Sequence, residues 1–182
     1  MAKHNDSTIA RLLADPRTER QAFAMLVETY GETLYWAIRR IVIDHDDAND
    51  VLQNTFLKAW QATDSFQARA KLSTWLHRIA VNESLDFLRH KKNRASVSGK
   101  MEAAGKLPSD GYFDGDEAQA LLQEAVASLP DVQRTVFTLR YFSGMKYSEI
   151  SRVLDTTEGA LKASYHIAVK KITAHILNHH GA

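Results

Sequence analysis

The residues from Thr74 to Arg94, TWLHRIAVNESLDFLRHKKNR, carry the first chemical signal in this 182-residue chain. At helical spacing Trp75, Ile79, Asn82 and Asp86 recur on one stripe, and the stretch ends in a basic run. A core helix would place leucine at Asn82. A wholly solvated helix has no use for Trp75 and Phe87. The combination fits a surface that meets something partly apolar and partly hydrogen-bonding, beside something anionic.

A second cluster lies in IDHDDANDVLQNTFLKAW, where Asp44, Asp46, Asp47 and Asp50 could hold a divalent metal. The spacing lacks the glycine, the Asx positions and the closing bidentate glutamate of a calcium loop. The same carboxylates suit the positive end of a helix dipole. His175, His179 and His180 could chelate a metal, but a solvated or frayed helix end is the preferred reading. No glycine-rich phosphate loop, Ser-His-Asp set or paired-carboxylate arrangement stands out. No cofactor is expected.

A third cluster closes the chain. In MKYSEISRVLDTTEGALKASYHIAVKKI, Ile150, Val153 and Leu154 face inward on one short helix. Asp155 stands at a turn that favours a residue tolerant of the left-handed conformation. Thr156 or Thr157 can cap a second helix, with Glu158 in its first turn. Leu161, Ala168 and Ile172 pack back, beside Tyr165 or Val169. Lys162, Ser164, His166, Lys170 and Lys171 are left for solvent or for DNA, where lysine meets guanine edges or phosphates. The spacing alone leaves both readings open.

The elements that must position these residues are helical. Three prolines and eight glycines are too few turn formers for an all-β chain. Phe23, Leu26, Val27, Tyr30, Leu34, Ala37, Ile38 and Ile41 recur every three or four residues, with Gly31 a weak point. Ala48, Val51, Leu52, Phe56 and Ala59 form the inner stripe of the acidic segment. Ser73 or Thr74 is placed to cap the helix of the opening stretch, and Ser148 the first helix of the C-terminal pair. Residues 95–115 carry Gly99, Gly105, Gly111, Gly115 and Pro108 with little periodicity, which reads as a flexible linker. The chain divides into an N-terminal helical unit over 1–94, this linker, and a smaller unit over 116–182.

Composition narrows the function. Lys and Arg number 23 against 22 Asp and Glu, so bulk charge cannot hold nucleic acid; only local patches can. There are no cysteines, which excludes disulfides and thiolate zinc sites. No apolar run approaches the roughly 18–20 residues of a membrane span, and the N-terminus lacks a signal-peptide apolar core. No membrane insertion is expected, and a cytoplasmic setting is the default.

LPDVQRTVFTLRYFSGMKYSEISRVLDTTEGALKASYHIAVKKI resembles the fourth conserved domain of bacterial sigma factors. DANDVLQNTFLKAWQATDSF followed by KLSTWLHRIAVNESLDFLRHKKNR resembles sigma domain 2. Their order, and the lack of a third domain between them, resembles the extracytoplasmic-function (ECF) group of the sigma-70 family. The resemblance implies an all-α protein of two small helical bundles, sigma domain 2 and a helix-turn-helix sigma domain 4, joined by a flexible linker. It implies a non-catalytic subunit that binds core RNA polymerase, recognises −35 and −10 promoter elements and holds the melted non-template strand.

Residue by residue, the resemblance puts Asn82 on the strand-recognition helix and Phe66, in DSFQARAKLS, near a pocket for a flipped base. An unstacked base offers a π-face and a Watson–Crick edge, so it wants apolar walls and an amide. Trp75 joins the −10 set, with a semi-core position as its alternative. Arg78, Arg89, Lys91, Lys92 and Arg94 can track the phosphates. Family analogy gives Asp47, Asp50, Gln53, Asn54, Leu57 and Lys58 the contact with the clamp helices of the polymerase β′ subunit; the β subunit is a further expected partner. Thr157, Glu158, Lys162, Tyr165 and His166 are the candidates for −35 contacts, with Lys170 on phosphate. Family recognition helices often carry several arginines. Here Ser164, Ile167 and Val169 stand where basic residues are frequent, so no consensus carries over. An anti-sigma factor is a family expectation. The competing readings are a helix-turn-helix regulator with a sensing or dimerising N-terminal half, and a metal-dependent enzyme built on the acidic segment.

Overall fold

A computed structural model describes residues 5–63, 66, 71–98 and 117–180, and among these every regular element is helical. Helices α1 (Asp6–Leu13), α2 (Glu19–Val42), α3 (His45–Gln61) and α4 (Leu72–Ser98) form the N-terminal bundle. Helices α5 (Glu117–Ala127), α6 (Asp131–Phe137), α7 (Tyr147–Leu154) and α8 (Glu158–His180) form the C-terminal one. A π-helical turn, Thr138–Phe142, extends α6. The segment read as linker is helical as far as Ser98; the rest of it, and most of the 64–70 loop, lies outside the described residues.

The inner stripes of α2 and α3 take the places their periodicity predicts. Leu26, Tyr30, Leu34, Ala37, Ile38 and Ile41 are buried on α2, and Ala48, Val51 and Ala59 on α3. Val27 and Val169, at the margins of their stripes, remain exposed instead. Gly31 sits inside an unbroken α2. Helix α1 has no counterpart in the periodicity, because eight residues make little more than two turns. Its Asn5 side chain accepts the Ser7 N–H at 3.1 Å, and Ile9 and Leu13 close the bundle.

Two expected caps are displaced. Helix α4 begins at Leu72, with the Lys71 carbonyl accepting the Trp75 N–H at 3.1 Å, so Ser73 and Thr74 lie within the first turn. Helix α7 begins at Tyr147, where the Glu149 carboxylate accepts the Lys146 N–H at 2.9 Å. Ser148 is therefore a first-turn residue. A carboxylate reaching back to the chain ahead of the helix does the work expected of a hydroxyl.

The two bundles pack against each other. One buried cluster runs through both, from Leu72, Leu76 and Ala80 of α4 to Ile150 and Val153 of α7 and Leu139 of the π-turn. A second cluster, Ala125, Val126, Leu129, Phe137, Ala168 and Ile172, belongs to the C-terminal bundle alone. Arg134 links the halves. It is 4% exposed, and its Nε donates to the Ile41 carbonyl at the end of α2 at 2.9 Å. Its Nη1 donates to the Leu129 and Ala127 carbonyls at 2.8 and 3.2 Å, and its Nη2 to Asp131 at 2.9 Å.

Candidate nucleic-acid interface

Helix α4 buries Leu76, Ala80, Val81, Ser84 and Leu88. Its outer side is left with Arg78, Asn82 and Arg89, all exposed, at steps of four and seven residues that keep them on one face. Trp75 leads into this face and is half-buried. Its ring lies 5.0 Å from that of Phe66, tilted by 46°. An aromatic pair, an exposed amide and guanidinium groups thus follow one another along one helix. Arg89 is held by Asp86 one turn earlier.

The basic run after Arg89 does not form a single rail. Lys91 is nine residues beyond Asn82, which at 100° per residue turns it about 180° to the opposite side of α4. There its Nζ lies 2.9 Å from Asp47 of α3. Lys91, read as a phosphate contact, thus stands on the side of α4 away from Asn82 and pairs with α3. Lys92 points toward the other bundle, where its Nζ is 2.5 Å from Asp131. Arg94 is exposed.

Helix α3 starts at Asp44, whose Oδ1 accepts the N–H groups of Asp46 and Asp47 at 2.9 and 3.0 Å. The Asp47 N–H above all holds the Asp44 carboxyl below its ordinary range. Of the four carboxylates read as possible metal ligands, Asp44 is thus a helix cap and Asp47 a partner of Lys91. Among the described residues no three His, Asp or Glu side chains converge as a metal site. His175 lies 3.9 Å from Glu124.

Along the outer edge of α3, Asp50, Gln53, Asn54, Leu57 and Lys58 are exposed and Asp47 is half-buried. Leu57 is a large apolar side chain left 54% exposed among the described residues. Lys58 pairs with Glu83 of α4. Beside that pair runs a groove of about 820 Å³, with Val51, Asn54, Phe87 and His90 among its lining residues. Phe87, Glu83 and His90 face this groove and were not picked out with the α3 edge. Their signal was their spacing on α4, which one helix read alone could not connect to α3.

In the C-terminal bundle Asp155 adopts φ 49° and ψ 50°, the left-handed turn expected between α7 and α8. Thr157 takes the cap: its hydroxyl accepts the Ala160 N–H at 3.2 Å. Glu158, Lys162, His166 and Lys170 are exposed at four-residue intervals, one ridge of α8. Tyr165 is placed differently. It is half-buried and stacks on Phe137 at 5.6 Å and 12°, with Tyr147 edge-on. Its ring faces are spent inside the bundle, and burial raises its hydroxyl's pKa. Arg152, exposed on α7, is an arginine of the helix-turn-helix that the sequence reading passed over.

Among the described residues, a helix-turn-helix in the C-terminal bundle and an aromatic, amide and guanidinium face on α4 are the two surfaces that hold the sequence-predicted DNA contacts. The Sigma-70 region 2 family matches residues 26–94, and the Sigma-70, region 4 family matches residues 119–172. The ECF RNA polymerase sigma factor SigW of Bacillus subtilis is 32% identical over 160 residues, covering 81% of this chain and 85% of its own. The ECF RNA polymerase sigma-E factor of Escherichia coli is 30% identical, over 80% and 81%. Among solved structures, CnrH in complex with the cytosolic domain of CnrY superposes with a TM-score of 0.69 at 27% identity, over 95% of this chain and 97% of that one. The sigma factor RpoE in complex with the anti-sigma factor NepR from Bartonella quintana gives 0.75 at 22% identity, over 85% and 96%, a likeness of fold. The chain belongs to the ECF group of the sigma-70 family. It is a non-catalytic specificity subunit that directs promoter-specific transcription initiation by RNA polymerase. No described helix is long and apolar enough to cross a membrane.

Proposed function

We propose that residues 1–94 form the unit that docks on core RNA polymerase and opens the −10 element, that 116–182 form the unit that reads the −35 element, and that 95–115 joins them. The single observation that carries the −10 reading is the α4 face of Arg78, Asn82 and Arg89 beside the Phe66–Trp75 pair. Stacking of an unpaired base on an aromatic ring contributes about 1–3 kcal/mol, and the Asn82 amide supplies a donor and an acceptor for its edge. Arg78, Arg89 and, when released from Asp131, Lys92 hold phosphates.

The α3 edge of Asp47, Asp50, Gln53, Asn54, Leu57 and Lys58 meets the β′ clamp helices. Leu57 is its apolar anchor, and the acidic residues suit a partner with basic side chains. The β subunit is the partner assigned to the C-terminal unit. On α8, Thr157, Glu158, Lys162 and His166 face the −35 groove and Lys170 a phosphate, with Tyr165 supporting the helix from behind. An anti-sigma factor, as NepR is to RpoE, covers the free protein, which acts in the cytoplasm.

Reconstitution tests this reading. Core polymerase supplied with this protein initiates at promoters selected from a random library. Asn82→Ala leaves polymerase binding intact but suppresses strand opening, read by permanganate reactivity of unpaired thymines. Normal opening by Asn82→Ala would remove that residue from its role.

A further inference from the structure

Lys162, on the exposed ridge of α8, lies against a ring. Its Nζ is 5.7 Å from the centre of Tyr147, on the first helix of the helix-turn-helix. That is within the roughly 6 Å at which a ring face attracts a cation. The ring itself is held. It is half-buried and meets Tyr165 edge-on at 6.4 Å and 80°. Tyr165 in turn stacks on Phe137, which is 4% exposed. The Arg140 guanidinium lies 5.2 Å from the centre of the Tyr147 ring. Arg140 Nη1 also donates to the Met145 carbonyl at 2.9 Å, which ties the turn before α7 to the same group. An exposed lysine on α8 thus rests on a ring fixed by the core of its bundle.

Helix α8, EGALKASYHIAVKKITAHILNHH, contains no arginine. The planar fork of arginine is pre-organised for the two acceptors of guanine, whereas lysine carries one compact charge on a flexible four-carbon stem. A free lysine loses rotamer freedom on meeting a base, and its loose stem can reach the acceptors of more than one base pair. A ring that holds the ammonium before DNA arrives removes part of that loss and narrows the reach. The attraction is to the ring face, so the Tyr147 hydroxyl plays no part in it.

Resting on the −35 reading of α8, we infer that Tyr147 is a positioning residue for promoter selection, its ring presetting Lys162 toward one base pair of the −35 element. Tyr147 acts through Lys162, and Tyr165 and Arg140 act through Tyr147. In this chain a lysine steadied by an aromatic ring takes the part that a pre-organised guanidinium would otherwise play.

Two measurements on the full chain test this. In the free protein, the NMR signals of the Lys162 Hε protons lie upfield of those of an unrestrained lysine, because they sit over the ring. The shift is lost in Tyr147→Leu and kept in Tyr147→Phe. An unshifted Lys162 in the wild type would overturn the inference with no DNA or polymerase in the tube. In holoenzyme, promoters are then selected from a library randomised across the −35 element. Lys162→Ala abolishes the preference at the base pair this lysine reads. Tyr147→Leu lowers the preference at that same pair by roughly two- to five-fold, the range of an exposed cation–π contact, and Tyr147→Phe retains it. On a Lys162→Ala background, Tyr147→Leu changes nothing further, which is the coupling expected of a residue that works through its neighbour. A tyrosine that only supports the fold would weaken binding to all sequences alike and on both backgrounds, and that result overturns the inference. If Lys162→Ala alters no −35 preference, the −35 reading of α8 falls and the inference with it. If Lys162 reads its base pair equally well in the wild type and in Tyr147→Leu, the inference falls alone.

Discussion

At the scale of single residues, two side chains show how differently local and distant forces are written. Asp155 is held at φ 49° between α7 and α8. An L-residue with a branched Cβ loses about 1–2 kcal/mol in that conformation, whereas glycine adopts it freely. Asp155→Val is therefore expected to lower stability by about 1–2 kcal/mol in urea denaturation, and Asp155→Gly to leave it nearly level. Arg134 is the opposite case. Its guanidinium serves three carbonyls and a carboxylate drawn from α2, α5, the α5–α6 turn and α6. Burial pushes its pKa down and Asp131 opposes this, so the charge is kept by its partners. Arg134→Ala is expected to cost about 3–5 kcal/mol, as for other broken buried pairs, and Arg134→Lys to recover little, since an ammonium lacks the planar fork. A Lys variant of wild-type stability would count against this account. Asp155 was legible from its neighbours, because turn chemistry is local. Arg134 read as one more charged residue on a helix, because its acceptors come from up to 93 positions away.

At the scale of elements, helix starts are decided by whichever polar group reaches the first free N–H groups. Asp44 does this for α3, with two amide donors on one oxygen. Asp44→Ala is expected to cost about 1 kcal/mol. The native carboxyl sits below its ordinary value, so its contribution is complete above about pH 4 and is lost as pH falls through the lowered native value. The acid limb of a pH–stability curve should be shallower in the variant, and parallel limbs would rule out the cap as its source. The same logic explains the displaced starts of α4 and α7. Ser73, Thr74 and Ser148 are good caps by type, but the inner stripes set the helices' register and pull each start forward. Leu72 is 2% exposed, and enclosing it needs a helical turn already at that position. The π-turn at Thr138–Phe142 is a further case. One extra residue in that turn lets Leu139 reach the shared core while Tyr141 and Phe142 stay by Phe137. Its apolar run gave no sign of the changed period.

At the scale of the whole molecule, the α4–α7 contact contains an imidazole at risk. His77 is 5% exposed, and its Nδ1 lies 2.8 Å from the Ser73 carbonyl oxygen, so that nitrogen carries the proton. Its Nε2 is buried without a partner. Burial pushes its pKa down, against the pull of Ser73 and of Glu149, which is itself paired with Lys71. A neutral His77 therefore stabilises the fold fully above about pH 6.5. The contribution is lost as pH falls from there through the lowered native value, at up to about 1.4 kcal/mol per pH unit. Urea midpoints measured from pH 8 to pH 5.5 should fall for the wild type and stay flatter for His77→Gln. Equal slopes would place the titrating group elsewhere. By itself, the sequence determined the helices, their inner stripes, the turn at Asp155 and the family, because periodicity, turn chemistry and motif order are properties of neighbouring residues. Only the tertiary structure decided that Lys91 meets Asp47, that Tyr165 stacks inward on Phe137, and that the two bundles pack against each other through Lys71, Lys92 and Arg134. Those outcomes depend on which surfaces meet across long stretches of chain, and burial and charge pairing between distant segments leave no period in the sequence to read.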